Sequence, residues 1–254
     1  MARWYAHHGR DTLPWRLTRD RWAVLVAEVM LQQTQVARVE QHWEPFVARF
    51  PDPETAAAAG AGALIAAWDR LGYPRRARRL WEAASQIAHD GWPVDLTALP
   101  GVGRYTAGAV AAEADDLDTV ALDTNIRRVV ERVEGRRLGE REAEAACRRL
   151  GGRLRGRDRL LALMDLGALV CTKRKPACAD CPLRPACATR GPLAGERSAR
   201  QAAFAGSFRE RRGRVLAALR SAPTPVAHLD EEALTSLVTD GLAEVRDRIA
   251  SLPT

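Results

Sequence analysis

The sequence predicts an all-α protein, and two observations carry that prediction. Alanine, leucine and arginine are plentiful while β-branched runs are few, so helix is favoured throughout. Hydrophobic residues make up 46% of the chain and charge is scattered, the pattern of a folded protein rather than a disordered one. At 254 residues the chain can bury a sizeable core in one large or two modest domains.

Ala2–His8 reads as the end of a helix with Gly9 as its cap, and Leu13-Pro14-Trp15-Arg16 as extended or turned, because proline disfavours helix before it. Arg21–Phe50 reads as two helices. Pro51-Asp52-Pro53-Glu54 punctuates, with Asp52 or Thr55 as a cap, and Ala56–Ala67 reads as one alanine-rich helix. Leu71-Gly72-Tyr73-Pro74 is a turn, Arg75–Asp90 a helix, and Gly91-Trp92-Pro93 its end. Helices are then expected over Arg104–Glu113, Asn125–Glu134, Arg141–Arg149 and Leu160–Val170. Proline and cysteine exclude regular helix from Cys171 to Cys187, and Gly191–Ser207 reads as a linker. Two helices, Arg209–Leu219 and Glu231–Thr239, precede a short hairpin within Leu242–Leu252. That order is either a winged helix or an irregular helical tail.

Net charge is +7, unevenly spread: residues 126–220 hold 24 Lys/Arg against 10 Asp/Glu, leaving the rest of the chain acidic. A basic half implies a polyanionic partner, most simply a nucleic acid, or else a solvated arginine-rich surface. The most apolar stretch, Trp22–Leu31, is interrupted by Glu28, and no signal peptide is evident, so a cytoplasmic protein without a membrane partner is expected.

Cys171, Cys178, Cys181 and Cys187 follow C-x6-C-x2-C-x5-C. In a reducing compartment this clustering points to an inorganic centre rather than disulfides. One short knuckle and two wide spacings suit a cubane iron–sulfur cluster better than zinc, which prefers paired C-x2-C knuckles. Lys173, Arg174 and Lys175 lie between the first two cysteines, where a cluster would fix a cationic loop beside a phosphate backbone. Cys147, flanked by alanines, reads as a core residue.

The central stretch is Leu99–Val130. Leu99-Pro100-Gly101-Val102-Gly103, followed by Arg104, Tyr105 and Thr106, is a helix–hairpin–helix signature. Its glycines permit positive φ and uncover N–H groups at a helix start, an anion site fit for a phosphate. Two carboxylates complete the chemistry. Glu28 stands in the apolar run VLVAEVML, where desolvation raises a carboxyl pKa and suits it to donate a proton. Asp123 precedes a basic helix and would stay ionised, or it is simply the cap of that helix. An acid plus a fixed anion is the pair that breaks a glycosidic bond.

Taken together, AEVMLQQTQV (27–36), LGYPRRARRL (71–80), LPGVGRYTAGAV (99–110), LDTNIRRVV (122–130), MDLGALVCT (164–172) and the cysteine loop resemble the adenine DNA glycosylases. These are the MutY-type members of the helix–hairpin–helix iron–sulfur base-excision family, and the resemblance covers about residues 3–190. It implies a two-domain fold, a six-helix domain over 20–125 and a cluster domain from 1–19 and 126–190, to which the residues themselves add a linker over 191–207 and a small module over 208–254. It further implies one [4Fe-4S] cluster and a monomer acting on double-stranded DNA, in the bacterial cytoplasm at the nucleoid, to remove adenine mispaired with 8-oxoguanine or guanine. Glu28 would protonate adenine N7, and Asp123, with Asn125 and Tyr105 beside it, would stabilise or capture the C1′ cation. Leu13, Trp15, Arg16 and Asp165 match positions around the extruded base, and Gln33 and Tyr73 match residues that enter the duplex.

Tyr105 stands where endonuclease III-like members have a lysine. It cannot form a Schiff base, so a hydrolytic glycosylase with little or no strand cleavage is expected. Tyrosine also occurs there in thymine glycosylases acting on T·G or U·G mismatches, which are the alternative; Glu28 within EVMLQQTQ favours adenine. A non-catalytic DNA-binding sensor is the remaining reading. After residue 190 no Nudix box of glycine and paired glutamates occurs, so the Nudix-like domain that reads 8-oxoguanine is expected to be absent, as in short actinobacterial forms.

Overall fold

The computed structural model describes residues 1–196 and 203–254, so part of the expected linker lies outside the described residues. Its α-helices are α1 (Ala2–His8), α2 (Arg21–Leu31), α3 (Val36–Arg49), α4 (Pro53–Ala59), α5 (Ala61–Trp68), α6 (Arg75–Asp90), α7 (Arg104–Glu113), α8 (Thr124–Glu134), α9 (Glu140–Gly151), α10 (Gly156–Asp165), α11 (Phe208–Ser221) and α12 (Glu231–Thr239). None of them is long and apolar enough to cross a membrane. The alanine-rich stretch read as one helix is two. Gly60, at φ +82°, turns the chain between α4 and α5, and Asp52 caps the first by accepting from the Thr55 amide. The helix expected over Leu160–Val170 instead starts at Gly156, ends at Asp165 and continues as one π turn, Leu166–Val170.

The chain forms two compact units. The first joins Met1–Val24 to Gly103–Ser198, and the second joins Leu25–Val102 to Ala199–Thr254. These divisions differ from the boundaries read in the sequence over 103–125, where α7 packs on α10, and over the C-terminal module, which belongs to the second unit.

In the first unit Ile126, Val129, Val130 and Val133 of α8 bury against Ala143, Ala146 and Cys147 of α9 and Leu160 and Leu163 of α10. Burial pushes the Cys147 thiol up to about 12, as suits an inert core residue. The N-terminal segment is tied in by charge. Asp165 is fully buried, and Arg16 donates to it in bidentate fashion at 2.7 and 2.9 Å. The Arg10 amide and Nε add bonds of 2.9 and 2.6 Å. Arg21 pairs with Asp115 at 2.7 Å.

In the second unit the core is aromatic as well as aliphatic. Phe46 meets Phe50 with ring centres 4.9 Å apart and meets Trp68 edge-on at 6.0 Å. One arginine serves the backbone ends around this core. Arg76 donates from Nη1 to the carbonyls of Val29, Met30 and Gln32 at 2.7, 2.9 and 2.6 Å. From Nη2 it donates to Thr34 Oγ1, Leu71 O and Gly72 O at 3.0, 3.1 and 2.9 Å. The carbonyls that α2 leaves without helical partners are therefore satisfied by a side chain. Burial lowers the Arg76 pKa to about 10, so the group stays charged at neutral pH.

The C-terminal residues form a winged helix. The helices α11 and α12 pack with a three-stranded antiparallel sheet of order β1-β3-β2, made of β1 (Thr224–Pro225), β2 (Glu244–Arg246) and β3 (Ile249–Ser251). Strand β1 had no signal in the sequence. The hairpin turn uses Asp247 and Arg248, both at positive φ, as a two-residue turn with the right twist requires.

Two outcomes are expected from these networks. Asp165→Asn leaves two arginines without their counter-charge and should lower unfolding free energy by about 3 kcal/mol, measured in urea. Burial alone would raise the Asp165 pKa, but the bonds from Arg16 and Arg10 outweigh it and hold the carboxyl below its ordinary 3.8. Its stabilisation is therefore complete above that value and is lost as pH falls through the lower folded one, so the variant should show a flatter acid limb. Arg76→Met should cost about 3 kcal/mol by stranding buried carbonyls, and Arg76→Lys should recover less than half of that, since an ammonium lacks the planar fork.

Candidate active site and nucleic-acid interface

Asp123 sits in extended backbone at the N-cap of α8, and both its oxygens are engaged. Oδ1 accepts from the Ile126 amide at 2.6 Å and Oδ2 from Asn125 Nδ2 at 2.6 Å. The helix N-terminus adds a favourable partial charge. Asn125 is itself held, its Oδ1 accepting from Arg128 Nη2 at 2.9 Å. Arg128 in turn donates to Gly167 O at 2.7 Å and to Cys171 O at 2.8 Å. A Cβ at Gly167 would lie 2.8 Å from that of Asn125, so the π turn approaches α8 closely only because residue 167 is glycine. The carboxylate is thus fixed through three layers of hydrogen bonds, and Asp123 is the cap of α8. Tyr105, in the first turn of α7, is half-buried with its hydroxyl 3.8 Å from Met164 Sδ.

Glu28 lies on α2 in the second unit and is only 4% exposed. The residues just beyond that helix are shaped for exposure. Gln33 (φ +56°) and Tyr73 (φ +49°) are non-glycine residues in left-handed backbone, both exposed, and the loops bearing both are pinned by Arg76. The Arg76 guanidinium also lies over the Tyr73 ring, 5.5 Å from its centre.

Leu13, Trp15 and Arg16 are brought together on one short 3-10 turn and its cap, and all three are buried. Arg16 and Asp165 spend their hydrogen bonds on each other, so they support this segment from behind.

The hairpin has the local geometry the glycines foretold. Gly101 takes φ +79°, and a Cβ there would come within 2.9 Å of Arg79 Cβ. Val102 donates back to Leu99 O at 3.1 Å and is buried as an anchor. Gly103 caps α7, and both it and Arg104 are exposed. Thr106 is buried, so only its backbone belongs to the open first turn.

All four clustered cysteines line one pocket, open to solvent, with Val129, Leu166 and Leu183 among its walls. Among the described residues no three His, Cys, Asp or Glu side chains close on one point as a single ion requires. Burial pushes the Cys171 and Cys181 thiols up, and at Cys171 a neighbouring arginine opposes it. Arg132, fully buried, donates from Nη1 to Cys171 Sγ at 3.4 Å, and its other bonds reach Thr172 O, Lys173 O and Glu196. The Glu196 pairing also fastens the first residues of the expected linker to this unit.

The functional residues missed by sequence reasoning are the arginines behind these groups: Arg10, Arg76, Arg128 and Arg132. Arg76 and Arg128 stood inside quoted motifs, but each was one arginine in a run, with no signal separating a buried partner from a solvated one.

The HhH-GPD superfamily base excision DNA repair protein family matches residues 26–152. The adenine DNA glycosylase of Mycolicibacterium smegmatis (strain ATCC 700084 / mc(2)155) is 44% identical, over 96% of this chain and 91% of that protein. That of Mycobacterium tuberculosis (strain CDC 1551 / Oshkosh) is 42% identical over 95% and 88%. A solved thermostable thymine-DNA glycosylase superposes with a TM-score of 0.61 at 29% identity, over 70% of this chain and 88% of that one. The chain belongs to the HhH-GPD superfamily of base excision DNA repair proteins and, within it, to the adenine DNA glycosylase family.

Proposed function

We infer that this protein excises adenine from DNA by hydrolysing its N-glycosidic bond, acting as a monomer on adenine mispaired with 8-oxoguanine or guanine. The observation that carries this reading is the 44% identity to an adenine DNA glycosylase over 96% of the chain. The residues that such chemistry needs are present in forms that suit it.

A glycosidic bond within stacked DNA is out of reach, so the adenosine must leave the helix. Gly101, Gly103, Arg104 and the Thr106 backbone offer N–H groups and positive charge to a phosphate, on a turn that Val102 anchors through its bond to Leu99 O. Gln33 and Tyr73 meet the duplex at the vacated position, and Leu13 and Trp15 supply apolar contact to the base. Arg16 and Asp165 act behind the pocket. Glu28 gives its proton to adenine N7, and the C1′–N9 bond breaks with its electron pair passing to the base. The positive charge that develops at C1′ is stabilised by Asp123, whose direction is fixed by Asn125 and the Ile126 amide. Water then bonds to C1′ and its proton passes to a carboxylate, leaving an abasic site. Tyr105 brings no amine, so strand cleavage is not part of the reaction.

Cys171, Cys178, Cys181 and Cys187 would hold a [4Fe-4S] cluster. When bound, that group supplies a rigid fold for the loop carrying Lys173, Arg174 and Lys175 rather than redox chemistry. Arg132 and Glu196 brace the loop from the protein side.

The reading is tested on duplexes carrying A·8-oxoguanine, A·G, A·C, T·G and U·G. Adenine should be released from the first two, leaving strands that break only in hot alkali. Release of thymine from T·G with none of adenine would transfer the protein to the thymine enzymes. Glu28→Gln and Asp123→Asn should each slow release at least about 100-fold in single-turnover assays. Tyr105→Lys should add strand cleavage through an intermediate trapped by borohydride.

A further inference from the structure

The segment that carries Tyr73 is held at both ends by the winged-helix module. Before the tyrosine stands Asp69, itself in unusual backbone at φ +37°, and Arg220 of α11 reaches it with 3.6 Å between Nη1 and Oδ1. After the tyrosine, in the first turn of α6, Arg75 pairs with the carboxylate of Asp240 at the end of α12. Arg78 donates to the Asp240 carbonyl at 2.9 Å. The second Asp240 oxygen accepts from Arg212 within the module at 2.6 Å. The Asp240 side chain is almost wholly buried by this arrangement. Gly241 follows at φ +63°, and a Cβ there would occupy the Arg78 guanidinium, so the turn is fitted to α6.

The module is not equipped to read DNA by its second helix. Helix α12, EEALTSLVT, carries two glutamates and no basic residue. Three arginines of α11 are paired with acidic side chains: Arg211 with Asp230 and Glu232, Arg212 with Asp240, and Arg214 with Glu210. What the module presents to α6 and its approach is a clamp.

We propose that the C-terminal winged-helix module is a specificity brace, in which Arg220 on Asp69 and Asp240 on Arg75 and Arg78 hold Tyr73 in the backbone conformation that meets a mismatched duplex. The proposal rests on the reading of Tyr73 as a residue that enters DNA. Arg76 passes the constraint onward, because the guanidinium that bonds Leu71 O and Gly72 O also bonds Gln32 O beside Gln33. Asp240 and Arg220 are thus positioning residues for recognition, not for bond cleavage.

The test uses the full chain with Arg220→Met and Asp240→Asn combined, and Arg75→Ala as a second variant in case the first unfolds; Arg75 is largely exposed, so its removal spares the core. Amide hydrogen exchange across 70–76 should quicken about tenfold, with α8 unchanged. The Kd for an A·8-oxoguanine duplex should rise about tenfold while that for a fully paired duplex stays within about twofold. The rate constant of adenine release at saturating enzyme should stay within about threefold, a split that general unfolding would not produce. Unchanged exchange at 70–76 overturns the brace. So does equal weakening on both duplexes, which would make the module a general DNA-binding surface. If the unaltered protein released no base from any duplex, the proposed function would fail while the exchange comparison still decided whether the module restrains the loop.

Discussion

A guanidinium surrounded by carbonyls, with no carboxylate among its hydrogen-bond partners in the described residues, is the interaction on which the second unit depends. Helix α2 must end, the chain must turn twice through left-handed backbone, and each turn leaves acceptors facing inward. Arg76 answers these with one planar group reaching Val29, Met30, Gln32, Thr34, Leu71 and Gly72. A lysine could not span such a set, because its donors radiate from one point. The helix of Glu28 and the loops of Gln33 and Tyr73 therefore share a single fixed point.

The same device recurs in the first unit. Arg128 links the neighbour of Asp123 to the π turn and to Cys171, Arg132 links α8 to the cysteine loop, and Arg16 links the N-terminal segment to Asp165. In each case a buried or half-buried arginine stands one layer behind a group to which the proposed function gives a role. The arginine content that reads as a genome's bias toward a solvated surface is therefore, at these positions, internal architecture. It also tempers the inference from net charge, since part of the basic half does not face a polyanion.

Much of the fold was legible because glycine and proline mark its breaks. The limits of α6, α7 and α12 fall where Gly91, the Gly103 cap and Asp230 place them. The single helix read across Gly60 failed because glycine amid alanines is tolerated in helices, and only tertiary packing selects the left-handed turn. The π turn was invisible because its cause, the approach of Gly167 to Asn125, joins residues far apart in sequence. The same holds for the site. Residue types and motif spacing single out Glu28, Asp123, Tyr105 and the cysteines as candidates, because their chemistry is intrinsic. Asp165 was read beside the base, but the structure turns it to two arginines, and a partner 149 residues away leaves no local trace.

The first unit closes only when both of its segments exist, since Met1–Val24 packs with Gly103–Ser198. During synthesis the opening residues must wait while Leu25–Val102 emerges, and they find Asp165 only after the chain has passed α10. Helices α11 and α12 follow the cysteine loop in the chain, so Asp69 and Arg75 meet Arg220 and Asp240 after that loop has been made. A nascent chain therefore completes the segments that carry Glu28 and Asp123 before the Tyr73 loop can be held by Arg220 and Asp240, and the interval between the two is set by how quickly α11 and α12 are made.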